Sequence, residues 1–215
     1  MKDKNIILAV DTSTHILSMS VYKNGEIFCS SKKSSDHSEN LTMVLDKLLE
    51  KSKLTLNNIN LLAVNTGPGS FTGLRIGLSF VKLLAKYLKV KIVATTSFLM
   101  LLHEFVKKCK IKESCNIITL FPSVKNEFYF CKFEYENKKI QKILKYGYIK
   151  QSEIDLEEAD FFLIPNFVEH NIKNFIKLNF SSKKIIDLFL DKNKMLYKTV
   201  MYQKLFPFYI RHTYY

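Results

Sequence analysis

The sequence predicts an α/β fold of two lobes, and three observations carry that expectation. Apolar runs of period two alternate with runs of period 3.6 in the order βββαβαβ through the first half of the chain. Four of its six glycines, Gly67, Gly69, Gly73 and Gly77, fall within eleven residues, between a buried apolar run and a helical pattern. The second half repeats the strand-rich opening imperfectly, so two βββαβα units are expected, the second degenerate.

Each element has a local reason. Asn5–Val10 is apolar enough for a first strand. Ile16–Tyr22 alternates Leu17, Met19 and Val21 with Ser18, Ser20 and Tyr22, the pattern of a half-buried strand. Asn24-Gly25 is a strong hairpin signal, and Glu26–Ser31 returns from it. Asp36-His37-Ser38-Glu39 resembles a capping box, with Asp36 as cap and Glu39 reaching back. Leu41, Val44, Leu45 and Leu48 then follow helical spacing to about Lys51. Leu61–Asn65 reads as a buried strand, the glycine turn leads into a helix to about Leu88, and Lys91–Thr95 follows. A helix joins these last two strands, so they should be parallel.

Further along, Asn116–Leu120, Glu127–Glu134, Lys139–Ile149 and Phe161–Ile164 read as strands. Phe167–Leu178 reads as a helix, and Ile185–Phe189 as a last strand or a helix start. The lobes divide near Ser97–Lys112, giving domains of 1–100 and 101–215, with a C-terminal segment able to pack back on the first.

In the turn Gly67-Pro68-Gly69, proline fixes φ and the flanking glycines admit positive φ. Ser70 or Thr72 can cap the helix that follows. A helix start can hold a phosphate on its free N–H groups. Here a dinucleotide loop would need glycine where Thr72 stands, and no Gly-Lys of a Walker loop occurs.

The helix after the turn has too little polar surface. Arg75, Ser79, Lys82, Lys86 and Lys89 form one narrow stripe. Roughly two thirds of the circumference is apolar, whereas a helix on one sheet face needs about 100°. A second surface therefore looks for cover, either within the chain or from a partner. Gly73 and Gly77 are four apart and would let another helix approach closely. The expected partner surface comprises Gly73, Gly77, Phe80 and Leu84, joined by His37, Leu41 and Val44 from the preceding helix.

Composition bounds the rest. The 215 residues are 47% hydrophobic and carry a net charge of +13. Lysines are spread along the chain and arginine occurs only at Arg75 and Arg211. Specific nucleic-acid sites favour arginine, so electrostatic attraction to RNA is expected ahead of autonomous, specific binding. Cys29, Cys109, Cys115 and Cys131 form no C-x-x-C, and the five histidines include no H-x-x-x-H pair, so no metal site is expected. The N-terminus runs straight into a strand and no apolar run approaches membrane-spanning length. A cytoplasmic protein with free thiols and no membrane association is expected.

Asp11-Thr12-Ser13-Thr14 follows a buried strand, where a carboxylate with hydroxyls can hold a Mg-phosphate group or simply close a polar turn. After Gly77 only Gly147 remains, so the matching glycine loops of a second lobe are missing. Asp11, Thr12 and Ser13 thus read as a vestigial nucleotide site, with no cofactor and no catalytic residue. An ATP-dependent phosphotransferase using Asp11 is the alternative.

The βββαβαβ order, Val10-Asp11-Thr12-Ser13, and the block Gly67-Pro68-Gly69-Ser70-Phe71-Thr72-Gly73-Leu74-Arg75-Ile76-Gly77 together resemble the bacterial TsaB (YeaZ) family. The likeness runs through most of 5–100, with His37-Ser38 at the first helix. It is fainter beyond, where Pro207-Phe208-Tyr209-Ile210-Arg211 is similar to the family's closing Pro-x-Tyr-Leu-Arg. The resemblance implies an actin/Hsp70-like (ASKHA) two-lobed fold. It implies a non-catalytic scaffold and activator that dimerises with the catalytic subunit TsaD to make N6-threonylcarbamoyladenosine at position 37 of tRNAs. It also implies the ATPase TsaE as a further member, self-pairing when the chain is alone, and contact with tRNA through the complex. Where the family often has Asp-Ala-Arg before the second-lobe strand, this chain has Pro122-Ser123-Val124.

Overall fold

The computed structural model describes residues 5–34, 36–109, 111, 114–124, 126–137, 139–169 and 175–211. In chain order the elements are β1 (Ile7–Asp11), β2 (Ile16–Lys23), β3 (Glu26–Lys33), α1 (Leu41–Ser52), β4 (Leu61–Asn65), α2 (Phe71–Leu88), β5 (Ile92–Thr95), α3 (Ser97–Lys108), β6 (Cys115–Pro122), β7 (Glu127–Glu136), β8 (Lys139–Lys150), β9 (Phe161–Pro165), β10 (Phe175–Leu178), α4 (Ser182–Leu190) and β11 (Lys198–Val200). They divide into two compact units, Met1–Thr96 with Ser181–Phe208, and Ser97–Phe180 with Tyr209–Tyr215.

The first unit is built on a mixed sheet in the order β11-β5-β4-β1-β2-β3. β1 pairs antiparallel with β2 and parallel with β4, and β4 is parallel to β5, as the intervening helix α2 requires. Asn24 and Gly25 both have positive φ, 51° and 92°, the pair of values a type I′ turn needs between β2 and β3. Leu8, Val10, Met19, Leu62 and Val64 meet Leu41, Val44, Leu45 and Leu48 of α1 and Leu78, Val81, Leu84 and Ala85 of α2 in one core. On β1, β2 and β4 a third helix, α4, also packs. There the Ser182 hydroxyl lies 2.7 Å from those of both Ser18 and Ser20, so the polar groups of this face satisfy one another.

α1 begins later than the capping-box pattern predicts. Asp36 accepts the Ser38 amide at 2.8 Å and so closes a local turn. These bonds from the Ser38 hydroxyl and amide hold its carboxyl below the usual range. A 3₁₀ turn, Ser38–Asn40, then leads into the helix proper.

The second unit carries a sheet in the order β10-β9-β6-β7-β8, antiparallel across β6, β7 and β8 and parallel across β6, β9 and β10. α3 packs on β6, β9 and β10 through a core that includes Phe98, Leu101, Leu102 and Phe105. The predicted helix Phe167–Leu178 is not formed over its last part. Phe175–Leu178 is the strand β10, paired with β9, with Phe175 stacked on Phe162 at a ring distance of 5.4 Å. Strand pairing and aromatic burial outweigh the local helical spacing there; 170–174 lie outside the described residues. Ile185–Phe189 belongs to α4. Among the described residues no helix is long and apolar enough to cross a membrane.

Candidate functional site

The glycine turn does not stand open at the start of α2; it clasps the turn that follows β1. The Ser70 amide donates to the Ser13 carbonyl at 2.7 Å, and the Ser70 hydroxyl, capping α2, accepts the Gly73 amide at 3.2 Å. Asn65, at the end of β4, ties the two turns together. Its side-chain amide donates to the Asp11 carboxylate at 3.2 Å and to the Ser13 hydroxyl at 3.0 Å, while its carbonyl accepts the Gly67 amide at 2.9 Å. The Ser13 amide also donates to Asp11, at 3.1 Å. Asp11, Thr12 and Ser13 are 1–2% exposed.

The glycines are explained by this close approach. A Cβ on Gly69 would come within 2.6 Å of the Ser13 Cβ. One on Gly73 would overlap the Thr12 carbonyl, and one on Gly77 the Thr12 hydroxyl. Gly67 takes a φ of 114°, and its Cβ position lies 3.3 Å from the Phe208 carbonyl, whose own amide donates to the Thr66 carbonyl at 2.8 Å. The notch expected to admit a partner helix is therefore filled by Thr12 of the same unit.

Burial keeps the Asp11 carboxyl above its ordinary range; the bonds from Ser13 and Asn65 and the charge of His37 oppose this without overcoming it. A carboxyl whose folded pKa is raised holds its proton more tightly in the folded state. Its contribution to stability is present in full below the unfolded pKa and is lost as pH rises through the folded value. Asp11→Asn keeps an acceptor for the Ser13 backbone amide and the Asn65 side-chain amide and removes the titration. The variant is expected to be at least as stable as the parent at pH 7, with the difference fading toward pH 4 in denaturant titrations.

The other predicted interface residues divide by burial. Leu41, Val44 and Leu84 belong to the core of their own unit, 1–7% exposed. His37 is buried, and its Nε2 donates to the Thr14 carbonyl at 2.7 Å. With Thr14, Ser34, Asp36, Ser70 and Gly73 it walls an open recess of about 550 Å³ at the α2 N-terminus. Phe80 is half-buried.

What faces outward on α2 overlaps the predicted set only at Phe80. Ile76 and Phe80 are partly exposed, and Leu83 and Tyr87 are each 65% exposed. Steps of four, three and four align these residues on one flank. Phe206, 66% exposed, extends the surface, its ring 4.8 Å from the Lys82 ammonium. The helical spacing of Ile76, Leu83 and Tyr87 was open to sequence reading; the placement of Phe206 was not.

The profile of the family described as TsaD: tRNA N6-adenosine threonylcarbamoyltransferase matches residues 28–185, well over half of the chain. The tRNA threonylcarbamoyladenosine biosynthesis protein TsaB of Buchnera aphidicola subsp. Schizaphis graminum is 34% identical over 110 residues, 51% of this chain and 52% of that protein. The Escherichia coli protein of the same name is 34% identical over 84 residues, 37% of this chain and 35% of that one. The chain spans about half the length of the curated relatives it matches. YeaZ from Pseudomonas aeruginosa has the same fold, with a TM-score of 0.73 at 18% identity over 95% of this chain and 99% of that one. The fold is thus the two-lobed α/β arrangement with two mixed sheets expected of an ASKHA protein. On these matches, and on the glycine block that locks β1 to α2, the chain belongs to the TsaB (YeaZ) branch of the TsaD-like family.

Proposed function

We propose that the chain is a non-catalytic scaffold and activator in the formation of N6-threonylcarbamoyladenosine at position 37 of tRNAs, pairing with the catalytic subunit TsaD. The observation that carries this reading is the outward apolar pair Leu83 and Tyr87 on α2, outside the core of its unit and continued along the same flank by Ile76 and Phe80, which pack against that core and stay partly exposed. Large apolar side chains aligned on one exposed helix flank fit a partner helix of similar character. The buried members of the predicted set, Leu41, Val44, Gly73, Gly77 and Leu84, act behind that surface by fixing α1 and α2 in place. When the chain is alone the same stripe suits pairing with a second copy. TsaE joins the assembled pair, and tRNA reaches the chain through the complex.

The test is a reconstituted modification assay with the host's TsaD homologue, TsaE, tRNA and the threonylcarbamoyl adenylate. Adding the chain is expected to raise modified tRNA by at least tenfold, as measured by nucleoside analysis. Equal modification with and without it would overturn the activator role. Turnover of Mg-ATP by the chain alone, lost in Asp11→Ala, would replace that role with the phosphotransferase alternative.

A further inference from the structure

α2 carries charge of one sign. Its sequence holds Arg75, Lys82 and Lys86 and no aspartate or glutamate, and Lys89 follows at its C-cap. Exposed helix faces ordinarily mix both signs, because opposite charges three or four residues apart support one another. With Ser79, these cations follow steps of four, three, four and three, so they share one flank. Among the described residues no carboxylate pairs with Lys82, Lys86 or Lys89. The helix dipole favours cations in the last turn, which suits Lys86 and Lys89. It offers nothing to Arg75 in the second turn or to Lys82, more than a turn short of the end.

This cationic row borders the apolar flank. Lys86, exposed, stands three residues beyond Leu83 and about 60° around the helix from it. On the other border the helix meets its own unit, Gly77 against Thr12 and Leu84 in the core. The exposed strip of α2 is therefore apolar along one side and cationic along the other. A nucleic-acid strand would answer the lysines and leave Leu83, 65% exposed, in water. A protein helix answers both rows when its own apolar row is bordered by carboxylates. Charges beside an apolar seam choose partners in this way. A second copy presenting its own α2 would bring lysines to the seam instead of carboxylates.

We infer that the cationic row of α2 selects the partner: the surface of the TsaD homologue that covers Leu83 and Tyr87 carries carboxylates beside Lys86, and the row favours that partner over a second copy. This deepens the pairing proposed above and rests on it. The full chain is titrated against the host's TsaD homologue at about 0.05 M and about 0.5 M salt. Lys86→Glu is expected to weaken association at least fivefold at low salt and less than twofold at high salt, where screening hides an exposed charge pair. Lys86→Gln is expected to fall between the parent and Lys86→Glu. Lys183→Glu is an equal charge change at an exposed position of α4, which packs on the serine face of β2. It is expected to leave binding within twofold. Sedimentation of the chain alone is expected to show self-association kept or tightened in Lys86→Glu.

Parent and Lys86→Glu bound equally at low salt would overturn the acidic rim and leave the pairing standing. A parent that fails to bind the TsaD homologue at either salt would overturn the pairing and the rim together. Equal losses from Lys86→Glu and Lys183→Glu would reduce the effect to net charge. A parallel fall in self-association would assign the row to a second copy. Binding of tRNA by the chain alone that Lys86→Glu abolishes, with affinity for the TsaD homologue kept, would assign it to RNA. Each of these last three results overturns the inference. A role confined to the helix dipole would lower the melting temperature of Lys86→Glu without the salt-dependent loss of association, and would overturn it as well.

Discussion

Gly77→Ala is expected to lower the melting temperature of the chain by roughly 4–8 °C, the equivalent of about 2 kcal/mol in a protein of this size. On propensity alone the change would help, since alanine is favoured over mid-helix glycine by about 0.5–1 kcal/mol. The structure reverses the sign. The added Cβ overlaps the Thr12 hydroxyl and comes within 2.9 Å of its Cγ2 and 3.0 Å of its Cβ, and Thr12 is 2% exposed with no room to retreat. Removing the obstruction gives the decisive control. Thr12→Ala deletes the two nearest atoms, so the double variant should recover most of the loss, a coupling that two independent sites would not show. A melting temperature unchanged by Gly77→Ala would mean that α2 does not rest on the β1–β2 turn as described.

The same residue shows what the sequence discloses and what it withholds. The spacing of Gly73 and Gly77 announces a close approach on one helix face, but not which neighbour makes it. That neighbour is the backbone and side chain of Thr12, more than sixty residues earlier, brought there by the parallel pairing of β1 with β4. Local pattern likewise sufficed for β1, β2, β3 and α2, whose alternation, Asn-Gly turn and apolar periodicity are written in consecutive residues. It failed for β10, where the pairing with β9 and the stacking of Phe175 on Phe162 are long-range gains that a helical window does not contain. α3 lies where the sequence suggests a boundary between lobes, although Phe98, Leu101, Leu102 and Phe105 follow helical spacing. In the candidate surface, periodicity identified an over-apolar helix correctly. It misassigned Leu41, Val44 and Leu84, because apolar character alone does not distinguish a residue facing its own sheet from one facing away.

The second large effect concerns that outward flank. Leu83→Glu with Tyr87→Glu places two carboxylates where apolar side chains are each 65% exposed. Because neither residue belongs to the core of its unit, the cost to stability should be small, within about 0.5 kcal/mol per site. A partner that buries both would lose two apolar anchors and face two charges stripped of water. Each is a change of the hot-spot class, so together they should weaken association by roughly 100-fold or more. Stability and association thus separate cleanly between the two predictions: Gly77→Ala strikes the fold, whereas the double glutamate variant strikes only what the fold presents.

The most direct measurement is therefore a calorimetric titration of the host's TsaD homologue with the parent chain and with Leu83→Glu/Tyr87→Glu, the two matched for melting temperature. The parent should bind tightly with a negative heat-capacity change, and the variant should show at least a 100-fold weaker Kd. Affinity retained within threefold by a fully folded variant would contradict the role assigned to the α2 flank.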